Sequence, residues 1–110
     1  MKNLALFLVA LVSGAATAAA DVTCKGVSGG HLGATPTCDR LMTLLSGRDL
    51  AVTLELTRDE PKLLAGRLVW QAGGQSRTGP VVEVTARDQP LDARAGDRLA
   101  RGLIAVSDLP

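Results

Sequence analysis

Residues 50–57, LAVTLELT, alternate without a break. Leu50, Val52, Leu54 and Leu56 fall on one side of an extended chain, and Ala51, Thr53, Glu55 and Thr57 on the other. Side chains along a strand point to opposite faces with period two, so the pattern requires a sheet with one dry face and one wet face. The chain must then supply a cover for the dry face. RDEPK at 58–62 reads as a charged turn, because Pro61 bars further pairing. Residues 63–71 (LLAGRLVWQ) predict a second strand with Leu64, Gly66, Leu68 and Trp70 inward and Arg67 outward. Gly73–Gly79 reads as a connecting loop, and residues 81–87 as a third strand with Val82, Val84 and Ala86 inward. Three strands on short connections predict an antiparallel meander.

The cover is expected from the C-terminal segment. Between Pro90 and Val106, Leu91, Ala95, Leu99 and Leu103 recur every four residues. Charged side chains fill the remaining positions, and Asp97 and Arg101 stand in the favourable i,i+4 order. This is an amphipathic helix, capped by Asp88 or Gln89. Gly96 and Gly102 speak against it, since each costs nearly 1 kcal/mol in a helix interior. The competing reading makes 99–106 a further strand. A shorter helix is expected over 36–46, with Thr35 as N-cap, Pro36 in the first turn and Gly47 at the end. The expected class is α+β: a three-stranded antiparallel meander, a C-terminal helix across one face and a short N-terminal helix. The runner-up is a small all-β sandwich.

The first 20 residues read as a signal peptide. Lys2 is the positive start, Leu4–Val12 an unbroken apolar run, and Ala18-Ala19-Ala20 a small-residue cleavage site. Cleavage falls after Ala20, or alternatively after Ala18. A membrane-spanning helix needs about 20 apolar residues, and Ser13, Gly14 and Thr17 interrupt this one. A lipid anchor on Cys24 is disfavoured, because Asp21-Val22-Thr23 is not a small-residue approach to it. Residues 21–110 are then one small domain, periplasmic or secreted, with no membrane partner once the leader is gone. Without Lys2 it carries eleven basic and eleven acidic side chains, and its only aromatic is Trp70. A nucleic-acid binder shows a basic excess and stacking platforms, so nucleic acid is not expected as a partner.

Cys24 and Cys38 are the only cysteines. In an oxidising compartment they are expected to pair. The loop they close is about 15 residues, for which chain entropy gives roughly 3 kcal/mol. A redox pair would show C-x-x-C spacing instead. His31 lies midway between them and Asp39 follows, so metal capture is a further reading, but only if the thiols escape oxidation.

The chemical inventory is short. Gly26-Val27-Ser28-Gly29-Gly30 satisfies the G-x-S-x-G pattern of serine hydrolases. That pattern works on a strained turn between strand and helix, with base and acid later in the chain. Here a glycine-rich stretch comes next, and the only histidine is three residues on. Trp70 belongs to the inner strand face; the alternative is an exposed anchor for a partner. Glu55 and Glu83 lie on the polar strand face, where pairing with Arg67 accounts for them. Nine arginines against two mature lysines fit a GC-rich coding bias as well as carboxylate recognition. No cofactor is implied. The leading expectation is a small exported, non-catalytic binding or accessory domain. It would recognise a protein through the disulfide-closed loop 25–37, with Ser28, Gly29, Gly30 and His31 as contacts, or through a free sheet edge. Arg77 in the Gly73–Gly79 loop is a further candidate contact, and inhibition of an exported enzyme is a special case. The rivals are a small hydrolase using Ser28 and His31, and a metal-capture protein.

Overall fold

A computed structural model describes residues 20–110, so all of the expected leader but Ala20 lies outside the described residues. The class is α+β, a sheet with two helices. The strands are β1 (Asp21–Lys25), β2 (Ala51–Glu60), β3 (Leu63–Ala72), β4 (Gln75–Thr78) and β5 (Val82–Thr85). The helices are α1 (Thr35–Leu44), between β1 and β2, and α2 (Ala93–Val106), after β5. The sheet order is β1-β2-β3-β4, with β5 also on β3.

The three expected strands form the expected antiparallel run β2-β3-β5. Two more strands flank it. β1 pairs with β2 in parallel, Asp21 opposite Ala51, and α1 makes the crossover that a parallel pair requires. The Gly73–Gly79 segment is not a plain loop: Gly73 and Gly74, with φ of 60° and 79°, turn the chain into β4. Type I′ hairpin turns demand positive φ at both central residues, and glycine adopts it without cost. β4 and β5 then share the far edge of β3, on Val69–Ala72 and Leu63–Gly66 respectively.

The charged segment 58–62 is also not all turn. β2 runs on to Glu60, and only Pro61 and Lys62 make the reversal. The pairing slips between Leu56 and Arg58, leaving Thr57 as the extra residue of a bulge. A bulge inverts the side-chain phase of the strand beyond it. Val52, Leu54 and Leu56 are buried beneath the helices, and after Thr57 it is Asp59, not Arg58, that is buried with them. Opposite Leu56 stands Gly66, where a Cβ would lie 3.0 Å from Glu55 O.

The helices cover the inner face. Leu41 and Leu45 from the α1 segment and Leu99, Ala100 and Leu103 from α2 are fully buried against Leu54, Leu64 and Leu68. Trp70 joins this core at 5% exposure. The N-cap of α1 is Ala34, which makes no side-chain cap, so Thr35 lies within the helix rather than before it. α2 is capped by Asp92, whose carboxylate accepts from Arg94 N–H at 3.0 Å, in place of Asp88 or Gln89. Gly96 explains its own presence in the helix. A Cβ there would fall 2.7–2.8 Å from Pro36 and Thr37, so its absence lets α1 and α2 meet backbone to backbone. Asp97 ties the same crossing from outside, bonding Arg40 at 2.6 Å and Arg101 at 3.1 Å. Among the described residues no helix is long and apolar enough to cross a membrane.

Candidate functional site

Loop 26–34 leaves β1 and returns to α1, and its ends are joined by a disulfide between Cys24 on β1 and Cys38 on α1, with Cα atoms 6.1 Å apart. The bridge holds the loop at its ends, as expected, and the middle of the loop is held as well. Asp59 Oδ1 accepts from Leu32 N–H at 2.9 Å and Oδ2 from Gly33 N–H at 2.7 Å. Asp59 backbone O accepts from His31 N–H at 3.0 Å. Backbone donors converging on a carboxylate make charge-assisted bonds, about twice as strong as neutral ones. The carboxylate is in place only because the Thr57 bulge turned it to the inner face. Two glycines make room. A Cβ on Gly30 would collide with the Asp59 carboxylate, and Gly33, with φ of 77°, takes a bend that other residues resist.

His31 extends the latch to a third segment. Its Nε2 lies 3.0 Å from Leu91 O, an atom that can only accept, so Nε2 carries the hydrogen. Leu91 N–H in turn donates to Pro61 O at 2.7 Å. Lys62 Nζ donates to Arg87 O at 2.8 Å on the same side. One end of the molecule is thus a knot of the loop, the β2–β3 reversal and the segment before α2. Nearby on the outer face, Arg58 bonds Glu60 at 2.6 Å. The hydrogen bond holds the Glu60 carboxyl below its ordinary range and the Arg58 guanidinium above its own.

What the latch leaves free is the tip. Gly30 N–H donates to Val27 O at 3.1 Å, closing a β-turn over Ser28 and Gly29, and Gly29 has the positive φ (71°) that suits its third position. Val27 is 37% exposed, among the few large apolar side chains so presented, and Ser28 and Gly29 are exposed beside it.

The expected site residues separate accordingly. Ser28 and Gly29 form the tip, Gly30 and His31 belong to the latch, and Cys24 and Cys38 staple the ends. Arg77 is not brought to them. It lies on β4, opposite Trp70, beyond β3 from the β1 edge. Ser28 sits on a β-turn, and no helix begins until Thr35, so the context a nucleophile elbow requires is not assembled around it. No hydrogen bond joins Ser28 to His31 among the described residues, and there no three His, Cys, Asp or Glu side chains gather to hold a metal ion. Glu55 is bonded to Arg67 at 2.9 Å on the outer sheet face, and Glu83 stands two strands away. The residue missed from sequence is Asp59, read as part of a charged turn. The four glycines of 25–35 are its signal, since clustered glycine marks close approach of another group.

Comparison of the chain with protein-family models, with curated proteins and with solved structures gave no match.

Proposed function

We propose that this chain is a small, non-catalytic exported binding domain that recognises a protein partner with the tip of loop 26–34. One observation carries the reading: the loop is fastened at both ends by the Cys24–Cys38 bridge and at its centre by Asp59, while Val27 and Ser28 are left exposed. Ordering a free backbone costs about 1–2 kcal/mol per residue on binding. A loop already fixed avoids much of that cost, which is the use of preorganisation in recognition. Val27 supplies apolar contact, and the Ser28 hydroxyl and the turn's backbone supply hydrogen bonds. The export component rests on the leader pattern and on a disulfide, which persists in oxidising compartments. β1 opens at Asp21, so cleavage after Ala20 would keep the whole sheet, and a new terminal amine there would still donate to Leu50 O.

The test is comparative capture from the exported fraction. Wild type, Val27→Asp and Arg77→Ala serve as baits, with bound proteins identified by mass spectrometry. A partner held by wild type and Arg77→Ala and lost with Val27→Asp supports the reading. Equal capture by all three contradicts it. Covalent labelling of Ser28 by a serine-reactive phosphonate would favour the hydrolase instead.

A further inference from the structure

The free edge of β1 is complementary to itself. Among the described residues β1 has a neighbour on one side only. Asp21 N–H donates to Leu50 O at 3.0 Å, in a parallel pairing that sets Asp21, Thr23 and Lys25 opposite Ala51, Thr53 and Glu55. In a parallel strand both backbone groups of one residue point to the same side, and the side alternates along the chain. Asp21, Thr23 and Lys25 therefore spend their backbone groups on β2. The N–H and C=O of Val22 and Cys24 face outward, towards no strand among the described residues. Natural edges are commonly blunted by proline, a bulge or a cover, because such a row of donors and acceptors is a template for another strand. β1 reads Asp-Val-Thr-Cys-Lys; it is short and charged at each end, but it has no proline and no register shift. The loop after β1 is drawn away from this edge, to Asp59 near the end of β2.

We infer that the occupant of this edge is a second copy of the chain, its β1 running antiparallel about a two-fold axis at Thr23. The register is dictated by the residues. Val22 comes opposite Cys24 of the second copy, and Cys24 opposite its Val22. These are the residues whose backbone groups face outward, so each pair exchanges both of its hydrogen bonds. Thr23 meets Thr23 on the axis as the intervening close pair. Asp21 then stands opposite Lys25 of the second copy, and Lys25 opposite its Asp21, so opposite charges meet at both ends. A shift by one residue would set backbone groups already spent on β2 against the outward ones. A shift by two would separate the charge pairs.

A second observation lies above the edge. The axis is perpendicular to the sheet, so both copies carry their helices on the same face. Cys38 marks the flank of α1 that leans over β1, since it is bonded to Cys24. One turn later on that flank, Met42 is 43% exposed, although α1 buries Leu41 beside it. In the paired molecule the Met42 flanks of the two α1 helices approach each other across the axis. An apolar side chain that is exposed in one copy is covered in two. The contact is isologous, as a two-fold requires, and it gives one continuous sheet.

The test is sedimentation equilibrium of the protein as exported, over a range of concentrations. Wild type should show a reversible monomer–dimer equilibrium. Asp21→Lys makes both ends positive and Lys25→Asp makes both negative, so each should weaken self-association by roughly tenfold or more. Mixing these two variants should restore association as a heterodimer, because each end of one then meets its opposite on the other. This rescue needs both variants to be folded, as checked by far-ultraviolet circular dichroism. Met42→Glu, on α1 rather than on β1, should weaken the wild-type dimer and serves as the second probe if either charge variant misfolds. A monomer at every concentration overturns the inference. So does a dimer indifferent to the folded charge variants or to Met42→Glu, or the absence of association between folded charge variants on mixing. Protection of the Val22 and Cys24 amides from exchange only when an unrelated protein is added would assign the edge to that protein and equally overturn it.

Discussion

At the residue scale the molecule turns on Asp59. The residue is buried, and its carboxylate accepts two backbone N–H groups from the half-buried loop opposite. Asp59→Ala leaves both donors without a partner, and a buried unpaired donor costs about 1–3 kcal/mol. Urea denaturation should therefore show a loss of roughly 2 kcal/mol or more. Asp59→Asn should be intermediate to severe, because its amide offers one acceptor and sets a donor against a donor. A second residue-scale prediction concerns Asp92. The Arg94 N–H holds its carboxyl below the ordinary range. A depressed folded-state value stabilises the fold above the unfolded value, and the contribution is lost as pH falls through the folded one. Asp92→Asn should flatten that acidic segment of the stability–pH curve by lowering stability near neutrality and converging with wild type in acid, as thermal melts from pH 2 to 7 would show. Asp59 could not be found by pattern. The strict alternation before it places Arg58 inward, and only the slip at Thr57 reverses the assignment. A bulge is a tertiary event, written in no single residue of the strand.

At the element scale, legibility tracks burial. β2, β3, β5 and α2 each bury one face, and burial is what imprints a period on sequence. β4 buries nothing, all of Gln75–Thr78 being exposed, so it carries no period and passes for a loop. β1 is short, and its partner β2 lies beyond a whole helix, so its pairing is not a local signal. The glycines of α2 argue against a helix by intrinsic preference and are overruled by packing. Gly→Ala in an exposed helix interior ordinarily gains nearly 1 kcal/mol. Gly96→Ala should instead destabilise by about 1–3 kcal/mol, since its Cβ would press on the Pro36 and Thr37 backbone. Gly102 is the control. Its Cβ would meet only Val82 Cγ1, at 3.1 Å, and a side chain can yield. Gly102→Ala should therefore lie within about 1 kcal/mol of wild type. Equal effects in the two variants would refute the reading of the α1–α2 crossing.

At the scale of the whole molecule, the fold is a frame that holds one loop. The sheet and helices use up nearly all the apolar side chains, and the covalent bridge joins the first strand to the first helix. For a closed loop of this length the chain-entropy model assigns about 3 kcal/mol, a large share of the 5–15 kcal/mol that stabilises an ordinary domain. The double substitution Cys24→Ser with Cys38→Ser should lower the unfolding free energy by about that amount. Asp59→Ala should then cost less in this background than in the bridged one, because two fastenings of the same loop are coupled. Independent, additive losses would mean that bridge and carboxylate do not act on one structure.

Amide hydrogen exchange, residue by residue, shows whether the loop is rigid before any partner arrives. If loop 26–34 is a preorganised recognition element, the Leu32 and Gly33 amides exchange as slowly as those of neighbouring β2, and Ser28 and Gly29 exchange fast. In Asp59→Ala the protection at Leu32 and Gly33 collapses while that of β2 and β3 persists. Rapid exchange throughout residues 26–34 of the wild-type protein would contradict preorganisation, and with it the proposed mode of recognition.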